Sequence, residues 1–103
     1  MGFTILVIES DHEVRVSLRQ TLEAEGYCVQ STTNGIEAVE FLKKVPPPNF
    51  VLLNPELPSM SADKFLQMKQ QDAELRPIPV IELRKPLDFK KLISELHAVF
   101  GAD

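Results

Sequence analysis

Short apolar runs alternate along the chain with segments whose apolar residues recur every three or four positions. The runs occupy residues 3–8, 27–32, 50–53 and 78–81, and they are rich in β-branched and aromatic residues. That content predicts strands, whereas the spacing of Val14, Leu18 and Leu22 predicts an amphipathic helix. Apolar stripes near residues 38–42, 65–75 and 89–100 predict three more helices. Alternating strands and helices indicate an α/β fold with a parallel sheet and helices on both faces.

Polar residues and a glycine mark the ends of the predicted helices. Asp11 fits an N-cap of the first helix, and Ser10 with Glu13 also fits a capping box. Gly26 fits the position just after that helix. Proline at positions 46–48 predicts a stiff connector after the second helix. Further turns or helix starts are predicted at Asn34-Gly35, Asp63 and Asp88.

Composition narrows the classes of protein that fit this pattern. The chain has 103 residues, 44% hydrophobic content and a net charge of −4, which suits a single domain spanning residues 1–103. No block of Lys and Arg stands out, so nucleic acid and anionic membranes are not expected as direct partners. The apolar run at residues 3–8 is too short for a signal core or a membrane span, and a cytoplasmic protein is expected. Cys28 is alone, which excludes an internal disulfide, and it is predicted to be a small buried residue.

Polar side chains follow two of the predicted strands. Glu9, Ser10 and Asp11 come directly after the first strand, and Asn54 follows the third. In parallel α/β sheets, ligands bind beyond the carboxyl ends of the strands. The sequence therefore predicts a functional site at this edge of the sheet.

Four ordered sets of residues resemble response-regulator receiver domains, and they extend over nearly the whole chain. They are Ile5-Leu-Val-Ile-Glu-Ser-Asp11 with Val14-Arg15, Leu22-Glu-Ala-Glu-Gly-Tyr27 with Asn34-Gly35-Ile-Glu-Ala38, Phe50-Val-Leu-Leu-Asn-Pro-Glu-Leu-Pro-Ser-Met60, and Arg84-Lys-Pro-Leu-Asp88. The resemblance implies a flavodoxin-like (CheY-like) three-layer sandwich. It also implies phosphoryl transfer from a histidine kinase to an aspartate of the domain, with Mg²⁺ held by acidic residues.

The residues at the family's functional positions depart from that chemistry. Asn54 occupies the phosphoacceptor position, and a neutral amide does not form an acyl phosphate. Glu9 and Ser10 occupy the two acidic positions, so any Mg²⁺ site is expected to be weak. Lys85 matches the family's lysine, and the Lys85-Pro86 bond matches one that is often cis in the family. No cofactor is expected.

A further departure is the short path from the fourth strand to Lys85. Roughly one helix, one strand and the family's Ser/Thr position are missing, which implies a four-stranded sheet in the order 2-1-3-4. Residues 78–83, from Ile78 to Leu83, would then form an exposed edge. The sequence therefore predicts a homodimer, formed through this edge or by exchange of a C-terminal segment. A natural loss and an engineered deletion fit the shortened segment equally.

The leading hypothesis is a pseudo-receiver: a phosphorylation-independent protein–protein interaction module of two-component signalling, without enzymatic activity. The alternative is a flavodoxin-like domain that binds a small ligand or an anion near Lys85. An enzyme of another class is not supported, because no catalytic triad or metal-ligand spacing is present. Asp11 is interpreted as a helix cap in preference to a metal ligand or substitute phosphoacceptor. Lys85 fits an ion pair or a solvated side chain, and Asn54 fits a functional lock or neutral drift.

Overall fold

A computed structural model describes residues 3–44, 47–56 and 62–100 of the chain. Within these ranges, four strands alternate with four helices, as the apolar pattern predicts. Pro46 of the predicted connector and residues 57–61 of the predicted loop lie outside the described residues. The elements are β1 Thr4–Ile8, α1 His12–Ala24, β2 Cys28–Thr32, α2 Gly35–Leu42, β3 Phe50–Leu53, α3 Ala62–Gln70, β4 Val80–Glu82 and α4 Phe89–Phe100.

The four strands form one parallel sheet in the order β2-β1-β3-β4, which confirms the predicted order. Ile5 lies opposite Cα partners Val29 in β2 and Phe50 in β3, and Leu53 lies opposite Glu82 in β4. β4 leads through Leu83 and Arg84 directly into a cis Lys85-Pro86 peptide bond. One strand beside β3 therefore carries the chain to Lys85, and the Lys85-Pro86 bond has the cis geometry that the resemblance made plausible.

The two faces of the sheet are covered by different pairs of helices. On one face, α1 and α4 supply Leu18, Leu22, Leu92 and Leu96 to what we call the first core. On the other face, α2 and α3 supply Ala38, Val39, Leu42, Ala62 and Phe65 to the second core. β1 and β3 contribute alternate residues to both cores, so these central strands are buried on both faces and consist of continuous apolar runs.

Local hydrogen bonds define the helix starts. The Asp11 carboxylate accepts from the backbone N–H groups of Glu13 at 2.9 Å and Val14 at 3.2 Å, which confirms Asp11 as the α1 cap. Asn34 caps α2 through the N–H of Glu37. Gly26 has a φ of 94°, a left-handed conformation that glycine adopts readily and that other residues rarely tolerate.

Three sequence-based details were wrong. β4 spans Val80–Glu82, shorter and later than the predicted 78–81, because Ile78 donates to Leu75 in the preceding turn. Leu75 itself lies in that turn, since α3 ends at Gln70. Cys28 is exposed, because it lies on an edge strand where only Val29 and Thr32 are buried.

A buried lysine holds the turn that leads into β4. Lys69 is only 6% exposed, and its Nζ donates to the carbonyl of Arg76 at 2.8 Å. Burial lowers the pKa of Lys69 below its ordinary value, since desolvation disfavours the charged ammonium. No helix in the described ranges is both long enough and apolar enough to cross a membrane.

The packing of α4 onto the first core can be tested with two truncations in that helix. Leu96 is fully buried, so Leu96→Ala is expected to lower the free energy of unfolding by about 3 kcal/mol, through lost transfer energy and a cavity. Val99 is 47% exposed, and Val99→Ala is expected to cost under about 0.5 kcal/mol. Urea unfolding of both variants is the measurement, and equal losses would contradict this placement of α4.

Candidate functional site

Glu9 is the central residue of the strand-end site. It follows β1, its side chain is fully buried, and its backbone N–H donates to the Thr32 carbonyl of β2 at 3.1 Å. Its Oε2 accepts from the backbone N–H of Asp11 at 3.0 Å and from Nδ2 of Asn54 at 3.1 Å. Its Oε1 has no hydrogen-bond partner among the described residues. The site is therefore organised around a buried carboxylate with one oxygen bonded twice.

Asn54 follows β3, and hydrogen bonds hold both its backbone N–H and its side-chain amide. Its backbone N–H donates to the Ile8 carbonyl at 2.9 Å, and the side chain is 7% exposed. Its Oδ1 accepts from the backbone N–H of Glu56 at 2.9 Å, while Nδ2 faces Glu9. These partners set the amide orientation, because a flipped amide would place oxygen against the carboxylate and NH₂ against an N–H. Asn54 therefore acts as a donor to Glu9.

Lys85 completes the cluster from the end of β4. Its Nζ lies 3.8 Å from Oε1 of Glu9, on the oxygen that lacks a hydrogen bond. The lysine side chain is 51% exposed, so solvent screening limits the contribution of this pair to about 0–1 kcal/mol. Of the two interpretations left by the sequence, the ion pair is the one observed.

The other two predicted strand-end residues turn away from the cluster. Ser10 is exposed, and among the described residues its hydroxyl makes no hydrogen bond with Glu9, Asn54 or Lys85. The carboxylate of Asp11 is directed to the start of α1, where it caps the helix. The sequence thus placed five polar residues near this edge, and folding brings three of their side chains together.

Arg15 is a residue whose contribution to the site the sequence did not reveal. Its Nη1 donates to the carbonyl oxygens of Glu9 and Ser10, both at 2.9 Å. The guanidinium therefore fixes the loop between β1 and α1 from the first turn of the helix. An arginine placed one turn after a polar strand end was the available signal, but its direction depends on the helix packing against the sheet.

The residues at this edge do not match the donors that Mg²⁺ prefers. That ion favours several hard oxygen ligands, commonly carboxylates. Glu9 supplies one free carboxylate oxygen, whereas Oδ1 of Asn54 is engaged with Glu56 and the Asp11 carboxylate is engaged with α1. No group of three or more His, Cys, Asp or Glu side chains with metal-binding geometry occurs in the described ranges. The cation beside the Glu9 carboxylate is the ammonium group of Lys85.

Sequence comparison finds relatives among bacterial response regulators. The polar-differentiation response regulator DivK of Brucella anthropi is 35% identical over 82 residues, which cover 79% of this chain and 65% of that protein. The DivK protein of Brucella ovis is 34% identical over the same length. The chain thus matches slightly under two thirds of the length of these relatives. No protein-family model matches it.

Solved structures with the same fold include receiver domains and response regulators. A putative response regulator from Chloroflexus aurantiacus has a TM-score of 0.90 at 18% identity, covering 98% of this chain and 99% of that one. The receiver domain of a sensor histidine kinase from Pseudomonas aeruginosa, which has magnesium coordinated in its active-site cleft, has a TM-score of 0.88 at 19% identity. That match covers 99% of this chain and all of the other. At such identities the structures establish the fold alone.

The fold is therefore that of a CheY-like receiver, of the flavodoxin-like class, with four strands in its sheet. Together with the match to the DivK proteins over 65% of their length, it supports the assignment of the chain to the response-regulator receiver domains.

The donor role of Asn54 can be tested by Asn54→Asp. The variant replaces a hydrogen bond to Glu9 by two carboxylates at about the same separation, so unfolding free energy at pH 7 is expected to fall by about 2 kcal/mol. Mg²⁺ should restore part of this loss in the variant and leave the wild-type chain unchanged, because two adjacent carboxylates bind a divalent cation better than one. Urea unfolding with and without Mg²⁺ is the measurement.

Asn49→Asp is the matched control for that experiment. The Oδ1 of Asn49 accepts from the backbone N–H of Thr4 at 2.9 Å at an exposed position, and an aspartate retains this acceptor. Its stability is expected to stay near that of the wild type and to be insensitive to Mg²⁺. An Asn54→Asp variant that behaves like Asn49→Asp would contradict the donor role.

Proposed function

We propose that this chain is a pseudo-receiver, a receiver domain that works as a phosphorylation-independent protein–protein interaction module. The observation that carries the proposal is the 3.1 Å hydrogen bond from Nδ2 of Asn54 to Oε2 of Glu9. Asn54 occupies the position that matches the family's phosphoaccepting aspartate, and Ser10 occupies the second acidic position. Both substitutions remove negative charge from a site that otherwise needs it for Mg²⁺.

The chemistry of Asn54 supports a site that cannot be phosphorylated in the usual way. An amide nitrogen whose lone pair is delocalised is a poor nucleophile, and here the NH₂ group donates to a carboxylate. An amide oxygen also lacks the charge of an aspartate, and it already accepts from Glu56. The domain is therefore proposed to lack the phosphotransfer activity of the family and to need no metal cofactor.

Groups of the protein itself, in place of a bound metal ion, surround the Glu9 carboxylate. The ammonium of Lys85 lies beside Oε1, and the Asn54 amide and the Asp11 N–H satisfy Oε2. These contacts hold the cluster in one arrangement without phosphorylation. They therefore favour the hypothesis that Asn54 is a functional lock over the hypothesis that it arose by neutral drift. The proposed role is to present a fixed surface to a protein partner in a bacterial-type cytoplasmic signalling pathway.

The alternative of an anion-binding domain is weaker on the same geometry. Lys85 is the cation that an anion would approach, but Glu9 lies 3.8 Å from its Nζ. The buried negative charge of Glu9 therefore opposes an incoming anion. Thermal-shift screening with nucleotides and inorganic anions is expected to show no stabilisation.

Incubation with a small-molecule phosphodonor and Mg²⁺ tests the pseudo-receiver proposal. Intact-mass spectrometry is expected to show no added phosphoryl group, because position 54 offers no carboxylate. A receiver with an aspartate at its phosphoacceptor position, treated in the same mixture, should gain one group and is the positive control. A stoichiometric phosphoryl gain on the wild-type chain would overturn the proposal.

The proposed module also self-associates. We propose a homodimer formed through residues 78–83 or by exchange of a C-terminal segment, because β4 lies at the edge of the sheet. The charge of Glu82 makes this edge less prone to pairing but leaves its outward backbone groups available. Light scattering over a range of concentrations is expected to give the mass of two chains, and a monomer at all concentrations would exclude the homodimer.

A further inference from the structure

We infer that the homodimer forms by antiparallel pairing of β4 with β4 of a second copy, so that two four-stranded sheets join into one. This inference rests on the self-association proposed above and selects edge pairing over segment exchange. It also fixes the register of the two strands. The hydrogen bonds of β4, the contrast with the opposite sheet edge and the groove beside β4 support it.

The hydrogen bonds to β3 show which backbone groups of β4 are free. Val51 donates to the carbonyl of Pro79 at 3.0 Å, and Leu83 donates to the carbonyl of Leu53 at 2.7 Å. In a parallel ladder, alternate residues of a strand bond to the same neighbour. The backbone groups of Val80 and Glu82 therefore point away from β3. No hydrogen bond of these groups occurs within the described part of the chain.

The opposite edge of the sheet is partly occupied. Cys28 of β2 donates to the carbonyl of Phe3, so the backbone of Val29, one residue later, faces the free side of β2. Nη1 of Arg19 in α1 donates to that Val29 carbonyl at 2.9 Å. A side chain thus blocks pairing at β2, whereas no comparable cap occurs at β4 among the described residues. The two edges differ, and β4 is the one open to another strand.

The positions of the two free residues suit a second copy of the same strand. Val80 and Glu82 lie on either side of Ile81, so a two-fold axis at Ile81 pairs Val80 with Glu82 of the partner subunit, and the reverse. Each such antiparallel pair exchanges two backbone hydrogen bonds. All four outward N–H and C=O groups on each copy then have partners. A strand with this symmetry about its central residue is complementary to itself.

The groove beside β4 also fits a second copy. It has a volume of about 260 Å³ and lies between β4 and α4, with an apolar floor that includes Ile81, Leu83 and Leu92. Its polar rim carries both signs of charge, from Arg84, Asp88, Lys91 and Glu95. A two-fold axis places the same patch against itself, so a rim of one sign would repel its copy. A rim of mixed sign can form ion pairs across the axis.

Ile81 lies where the two copies would meet on that face. Its side chain is half-buried and packs against the first core, whereas Val80 packs against the second. In the proposed register Ile81 faces Ile81 of the partner subunit as a non-hydrogen-bonded antiparallel pair. The Cα atoms of such a pair are about 4.5 Å apart, a separation that a disulfide can span.

Disulfide trapping tests this register. Ile81→Cys is made in a Cys28→Ser background, which removes the exposed native thiol, and the protein is mildly oxidised. We expect the denatured chain to shift to twice its mass on non-reducing gels. Ile36→Cys in the same background is the matched control, because Ile36 is 50% exposed on α2, and it should remain at the mass of one chain.

The outcomes separate this inference from the proposals on which it rests. A wild-type dimer by light scattering with no Ile81→Cys cross-link would overturn β4 pairing and leave self-association standing. A monomeric wild type would exclude both, while the phosphodonor experiment tests the pseudo-receiver proposal independently. A partner protein adding to β4 in place of a second copy would also leave Ile81→Cys uncross-linked, and so counts against the inference.

A proline substitution provides a second test that does not alter the core. Glu82→Pro removes the outward N–H of residue 82 and leaves the bonds from β4 to β3 in place. Because of the two-fold axis, the substitution removes two hydrogen bonds from each dimer. The dissociation constant of the dimer is therefore expected to rise by about tenfold or more. Glu82→Gln keeps the N–H and should bind far closer to wild type. Equal affinities for Glu82→Pro and wild type, with the fold confirmed by circular dichroism, would contradict the pairing.

Discussion

The buried carboxylate of Glu9 is the constraint on which the geometry of the strand ends depends. A charge removed from water is costly unless it is paired and hydrogen-bonded. Here the loop after β1 supplies the Asp11 N–H, the loop after β3 supplies the Asn54 amide, and the segment after β4 supplies Lys85. Three separate segments are thereby held at one point. Asn54 consequently supplies a hydrogen-bond donor that an ionised aspartate at this position would lack.

The strand β4 both positions part of this cluster and forms an edge of the four-stranded sheet. β4 pairs with β3, so its carboxyl end lies close to Glu9 and places Lys85 within reach of it. The cluster therefore needs only four strands. In the described part of the chain, this arrangement gives the outward backbone groups of Val80 and Glu82 no hydrogen-bond partner, and a strand added there would lie beside Lys85. The strand β4 thus contributes both to the cluster around Glu9 and to the proposed interaction surface.

Much of the fold could be predicted from local pattern, and the failures have definite physical causes. The continuous apolar runs of β1 and β3 and the cap at Asp11 are confirmed, since burial on both faces and capping leave local signatures. The strand order came from the resemblance to receiver domains. Cys28 was wrongly expected to be buried, because exposure depends on β2 lying at an edge. The boundaries of β4 were wrong because a turn buries Ile78 without extending the strand.

The sequence by itself determined the alternation of strands and helices, the core residues and the residue types available at the strand ends. Spacing along the chain shows which face of its own element a side chain occupies. Only the tertiary structure decided that Glu9 and Asn54, 45 residues apart, bond to each other while Ser10 remains exposed. It also decided that Arg15 donates to the Glu9 carbonyl in the loop after β1, and that Arg19 donates to the Val29 carbonyl at the edge of β2. These contacts depend on how elements pack across the sheet. The periodicity within one element does not encode the distance between side chains of different elements.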